Sequence, residues 1–182
     1  CVKMDMPNAK KIGGEYSDHD VEEKGIEIIG DVVAEYKRYA NNKAIAFCAT
    51  IKQCMALSDE LNANGVPSAI FCATTTAEER KEILRLYNNT NEIMVLVSVA
   101  ALATGFDARC IKTVLVCRPL SRSLSLYIQS IGRGLRSMDG KESCLLLDFT
   151  GNMRKFSADF VDFYLNGIDS LNSGEKKDRT RK

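Results

Sequence analysis

From Val21 to Ala40 the apolar side chains of Ile26, Ile29, Val32, Val33, Tyr36 and Tyr39 recur three and four residues apart. That spacing predicts one amphipathic helix, softened by Gly25 and Gly30 and ended by Asn41-Asn42. The pattern then changes. Lys43 to Cys48 is an apolar run too short for a helix and bounded by polar residues, which predicts a buried parallel strand. Thr50 follows as the N-cap of a helix reaching about Leu61, closed by Asn64-Gly65. The same unit recurs. Ser68–Cys72 predicts a strand, and Thr76 with Glu79 three residues later forms a capping box that opens a helix to Tyr87. Ile93–Val97 predicts the next strand, with a short helical stretch to Ala103. Thr113–Cys117 predicts another, stopped by Pro119 and followed by a helix from about Ser123. Cys144–Asp148 predicts the last, before a final helix through about Leu165.

Apolar strands alternating with helices call for a parallel sheet covered on both faces, because each right-handed crossover lays its helix over the sheet. The expected fold class is therefore an open α/β domain. Such sheets bind ligands beyond the carboxyl ends of their strands, so the loops starting at Cys48, Cys72, Ser98, Cys117 and Phe149 form the expected working edge. Residues 1–20, with Pro7, Gly13-Gly14 and no periodicity, are expected to be an extended lead-in from an upstream domain. Residues 21–172 make the domain, and the charged residues 173–182 an unstructured tail.

Composition changes this picture little. With 182 residues, 45% hydrophobic and 27% charged, the chain has enough apolar material for one real core. A net charge of +1 removes the whole-domain basic footprint of a dedicated nucleic-acid binder, so any such site must be a local patch. The longest apolar runs are strand-sized and no signal-peptide core is visible, which favours a cytoplasmic setting without a membrane partner. The seven cysteines agree, since Cys48, Cys72, Cys117 and Cys144 sit in or beside apolar strand-like runs. With no Cys-x-x-Cys pair and His19 as the only histidine, no metal site is expected. The chain opens at Cys1 and not at methionine, as expected of a piece of something longer.

Candidate chemistry gathers at the expected working edge. In Tyr127–Arg136, Gln129, Arg133 and Arg136 are spaced by four and three, so they should share one helical face where two guanidiniums reach one anion. Gly132 would let another backbone come close. In Ser98–Asp107 a hydroxyl opens a helix, Gly105 permits close approach and Asp107 could accept from ribose hydroxyls. Thr50 and Thr74 stand at strand-to-helix junctions, where hydroxyls and amides suit a nucleic-acid backbone. Taken singly, each hydroxyl fits plain helix capping better; the joint pattern is what carries weight.

In that order the pieces resemble the second, C-terminal RecA-like domain of superfamily-two DNA and RNA helicases, the DEAD/DEAH-box and DExH group. Ala44–Cys48 with Thr50 looks like motif IV, Leu96–Asp107 like motif V, and Gln129–Arg136 like motif VI. Gly132–Arg136 with Leu147–Asn152 is similar to bacterial and phage DExH repair helicases of the RadD type. The resemblance covers residues 43 to 150. It implies a RecA-like open parallel sheet of the P-loop NTPase fold, with Arg136 as arginine finger on the ATP γ-phosphate, Arg133 assisting and Gln129 linking nucleotide to the domain interface. Gly105, Asp107 and Gly132 would line the cleft for ATP, and Thr50, Thr74 and Ser98 would touch the nucleic-acid backbone. Ser98 stands where many members carry threonine.

The chain has no Gly-x-x-x-x-Gly-Lys-[Ser/Thr] loop. The groups that cradle ATP and hold Mg2+ must then come from an upstream RecA-like domain, and this piece alone is expected to be inactive. The implied partners are that domain and nucleic acid, DNA ahead of RNA, although backbone-directed hydroxyls read no bases. Two rival readings remain at this point: a non-catalytic RecA-like module that docks nucleic acid or protein, and a freestanding α/β enzyme using Asp107 or Asp148 as acid or base.

Overall fold

The computed structural model describes residues 4, 6, 9–99, 108, 110–157, 159 and 161. The chain divides into two compact units, Cys1–Asn152 and Met153–Lys182. The first contains two short antiparallel strands, β1 (Lys11–Ile12) and β2 (Glu15–Tyr16), and the helices α1 (Asp18–Glu27) and α2 (Ile29–Tyr39). Then come β3 (Ala44–Phe47), α3 (Ile51–Ala63), β4 (Ser68–Ile70), α4 (Ala77–Asn89), β5 (Val95–Ser98), β6 (Thr113–Val116), α5 (Leu124–Gly134) and β7 (Leu145–Asp148). A short helix, α6 (Asn152–Lys155), begins at the boundary of the units. In the second unit the Lys155 ammonium lies 5.7 Å from the Phe156 ring centroid.

Five strands form one parallel sheet in the order β4-β5-β3-β6-β7. The inner strands β3, β5 and β6 are buried at every residue, which is why they read as unbroken apolar runs instead of alternating ones. The path from β3 to β4 runs toward one edge, and the later crossovers run toward the other. With right-handed connections this puts α3 on one face and α4 and α5 on the other. Tyr36, Leu57 and Leu61 pack with Ala46, Val97 and Leu115 in the core on the α3 side.

Three expectations needed correction. The single helix over 21–40 is two helices: α1 ends at Ile28, which caps it and starts α2. Gly25 sits where a Cβ would fall 2.3 Å from Gln53 Nε2, so the close approach of α1 to α3, and not softening of the helix, accounts for that glycine. The lead-in is more than an extended connection. Met4 is buried and its amide donates to the Phe149 carbonyl at 2.7 Å, while Gly13 and Gly14, with φ of 61° and 90°, make a tight hairpin turn. The helical stretch expected up to Ala103, and everything beyond residue 161, lie outside the described residues. Among the described residues no helix is long and apolar enough to cross a membrane.

Candidate functional site

The register fixes the working edge. Phe47 pairs with Ser98 on one side and Val116 on the other, and Val116 with Asp148, so these strands end at one level. Beyond it the edge has two halves. The loops after β4 and β3 carry Thr74 and Thr50, Ser98 closes β5, and the loop after β6 leads into α5.

On α5, Tyr127, Ser130, Ile131 and Gly134 face inward. Gly134 is required by contact, since a Cβ there would lie 2.5 Å from both Cys144 Sγ and Val114 Cγ2. Gly132 faces open space, with nothing within 4 Å of an added Cβ. Gln129 is exposed and donates to Ser125 Oγ at 3.3 Å, one turn back. The helix ends at Gly134 with Leu135 as cap, so Arg136 leaves the helical face on which the spacing placed it. The ammonium of Lys141 closes this end by donating to the Gly134 and Arg136 carbonyls, the latter at 2.9 Å. Arg136 nevertheless stays beside Arg133: partial burial, and then the charge of Arg136, hold the Arg133 guanidinium below its ordinary pKa. Two cations brought together in this way are a ready counter-charge for an anion.

The hydroxyl half is more heavily committed. Thr50 Oγ1 caps α3 by accepting the Gln53 amide at 3.1 Å, and its hydroxyl helps Lys52, the larger cause, hold the Glu22 carboxyl below its ordinary pKa. Ser98 is buried at the end of β5. Thr74 is exposed, with Oγ1 3.0 Å from Cys72 Sγ, at a cavity of about 450 Å³ lined by Ile70, Cys72, Thr75, Glu79 and Glu82 among others. Carboxylates on that wall repel phosphate, which leaves the Thr74 rim as the usable part. Burial raises the Cys72 thiol, but hydrogen bonds with Thr74 and Thr75 outweigh it and bring the pKa below its ordinary value. Gly105 and Asp107 lie outside the described residues.

Two residues that sequence reasoning missed shape these halves. The Arg80 guanidinium reaches the Thr75 and Cys72 carbonyls at 2.8 Å and that of Ala73 at 3.3 Å, and stacks 5.3 Å from the Phe71 ring centroid. It organises the loop that presents Thr74, yet in the sequence it is one basic residue among many on α4. Gln53, 1% exposed, accepts the Ala49 amide at 2.8 Å and donates to the Cys117 carbonyl at 3.2 Å, joining the loops after β3 and β6. A polar residue at an inward helical position was its one available signal.

The model of the helicase conserved C-terminal domain matches residues 24–138 of this chain. A 51.5 kDa protein of Lactococcus phage (isolate 7-9) is 28% identical over 145 residues, 79% of this chain and 32% of that protein. The Saccharomyces cerevisiae protein named "Putative ATP-dependent helicase IRC3" is 38% identical over 88 residues, 48% of this chain and 12% of its own length. The chain thus spans about a third or less of these relatives. Among solved structures, domain 2 of the DEAD-box helicase Mss116p bound to an RNA duplex superposes with a TM-score of 0.57 at 25% identity, covering 76% of this chain and 56% of that one.

Proposed function

We propose, from the premise that this chain belongs to the helicase conserved C-terminal domain family, that it is the second half of an ATP-dependent nucleic-acid helicase or translocase. ATP is hydrolysed in the cleft between this domain and a nucleotide-binding partner domain. Arg136 meets the γ-phosphate, Arg133 assists, and Gln129 stands beside them at the interface. Gly132 gives the partner room to approach, and Gly105 and Asp107 serve the ribose side. Thr50, Thr74 and Ser98 face the nucleic-acid backbone, with Thr74 the most accessible of the three.

The observation that carries this reading is the Arg133–Arg136 pair. Burial and the nearby charge of Arg136 disfavour the charged form of Arg133, a cost that a phosphate arriving at the pair would relieve, and the open space over Gly132 fits an approaching surface. When bound, ATP supplies the phosphoryl group whose transfer releases energy, and Mg2+ held by the partner domain neutralises its charge. This chain supplies positive charge in trans and a grip on the strand. Closing the domains brings the arginines in, and reopening shifts the grip.

Arg136→Ala and Arg136→Lys in a chain that also carries the nucleotide-binding domain test this. Nucleic-acid-stimulated ATP turnover should fall by about a thousandfold or more for alanine, with lysine a poor substitute. Undiminished turnover overturns the assignment. The expected lead of DNA over RNA draws no support from the Mss116p complex, which holds an RNA duplex. Stimulation by single-stranded DNA against RNA of equal length decides it. Kinship with RadD-type repair helicases rests on the wording of Gly132–Arg136 and Leu147–Asn152.

A further inference from the structure

Three side chains from distant parts of the chain grip the loop between β6 and α5. Gln53 bonds the Cys117 carbonyl. Asn152 accepts the Leu120 amide and donates to the Arg118 carbonyl, both at 2.9 Å. Glu15, 106 residues before Ser121, accepts from three successive amides: Ser121 at 2.6 Å and Arg122 and Ser123 at 2.9 Å.

Gln53, on α3, and Asn152, at the start of α6, are both buried. Glu15 stands on a hairpin whose strands are two residues each, too short to persist unaided. Ile12 at its tip is 73% exposed, so apolar burial does not hold it. Its other ties include the Lys10 amide to the Asp20 carboxylate and the Ser17 amide to the Lys10 carbonyl, both at 2.8 Å. The glycine turn points Glu15 back at the protein, and the Arg122 side chain lies over it: a Cβ on Gly14 would sit 3.3 Å from Arg122 Cδ and Nη1. The bonds Glu15 accepts are charge-assisted and meet the positive end of α5, which makes them the strongest contacts in this set.

We propose that Glu15 is a positioning residue. Its carboxylate clamps the approach to α5 onto the hairpin of residues 11–16, so that displacing the segment before α1 displaces the helix carrying Gln129 and Arg133. This rests on the reading that Arg133 and Arg136 serve a phosphate across a domain cleft. Segment and α5 then move together, so that where the nucleotide-binding domain is joined ahead of this one, its shift reaches Arg133 through the chain as well as through the cleft.

Glu15→Gln keeps size and removes charge, and Glu15→Asp keeps charge and shortens reach. Hydrogen exchange on this chain should show the amides of Ser121, Arg122 and Ser123 opening about tenfold more readily in Glu15→Gln, with the first turn of α5 following. In a chain carrying the nucleotide-binding domain, kcat should fall about fivefold or more while KM for ATP stays within about twofold, and Glu15→Asp should restore part of kcat. Unchanged exchange overturns the clamp. Faster exchange with kcat within about twofold of the parent reduces Glu15 to a structural cap and overturns the proposal. Arg136→Ala run alongside separates the two ideas: if it leaves turnover intact the phosphate reading falls, while the exchange result still decides the clamp.

Discussion

Gly132 and Gly134 lie two residues apart on α5, and replacing each by alanine should move stability in opposite directions. Neither has positive φ, so backbone strain plays no part. At Gly132 a Cβ meets nothing within 4 Å. Alanine there only removes freedom from the unfolded chain and stabilises by roughly 0.5–1 kcal/mol. At Gly134 the new carbon falls 2.5 Å from Cys144 Sγ and Val114 Cγ2, about 1 Å inside van der Waals contact. Val114 lies on a buried central strand and cannot retreat, so α5 must lift or Cys144 must rotate. Overpacking of this kind costs roughly 1–3 kcal/mol, and the propensity gain offsets up to about 1, leaving a net loss near 1–2 kcal/mol. Equilibrium urea unfolding followed by far-ultraviolet circular dichroism measures both. With a slope of about 2 kcal/mol per molar urea, the midpoint should rise by about 0.25–0.5 M for Gly132→Ala and fall by about 0.5–1 M for Gly134→Ala. Cys144→Ala added to Gly134→Ala should recover part of the loss. A Gly134→Ala variant as stable as the parent would refute the seating of α5 on β6.

Other expectations concern the edge and the surface. Arg80→Ala should cost about 1–2 kcal/mol and speed amide exchange from Cys72 to Thr75, because three carbonyls lose their donor; unchanged exchange in that loop would count against its role. Among the described thiols Cys72 should react first with iodoacetamide near neutral pH, since its pKa is lowered while Cys48 is buried and raised by its Cys117 and Cys54 neighbours and by burial. Peptide mapping checks this, and earlier labelling of Cys48, Cys54 or Cys117 would contradict it. Glu22 and Glu79 have folded pKa values below the ordinary 4.5, through Lys52 and Thr50 and through the Thr76 amide respectively. Their contribution is present above that value and is lost as pH falls through the depressed folded pKa, so Tm should drop below about pH 4.5 and Glu79→Gln should flatten the drop. A flat profile in the parent would refute the linkage.

The strands and caps were legible because their signals are local. A run such as Ala44–Phe47 needs burial on both faces whatever its neighbours, and Thr50 and Thr76 each accept an amide three residues on, as their spacing predicts. What escaped depends on partners far along the chain. The break at Ile28 has no proline to mark it, and exposed Gly30 two residues on signals only a softer helix; α1 and α2 both pack on α3, which local spacing does not foresee. Arg136 left its helix because α5 ends at Leu135, with Lys141 on its last carbonyls, a contact that helical spacing does not foresee. Gln53, Arg80 and Glu15 are ordinary in composition, and only the carbonyls and amides they meet give them a role.

The strand order also sets a schedule. β3, first of the five in the chain, lies at the centre, and its two neighbours arrive 51 and 69 residues later, counted from Ala44 to Val95 and to Thr113. As the chain emerges during synthesis, Ala44–Phe47 therefore waits with both hydrogen-bonding edges bare, shielded on one face by the helices on either side of it. Until Val116 has been made, this wholly apolar strand is open to any other strand that meets it. The hazard of misassembly is thus concentrated in the interval before the arginine-bearing helix exists.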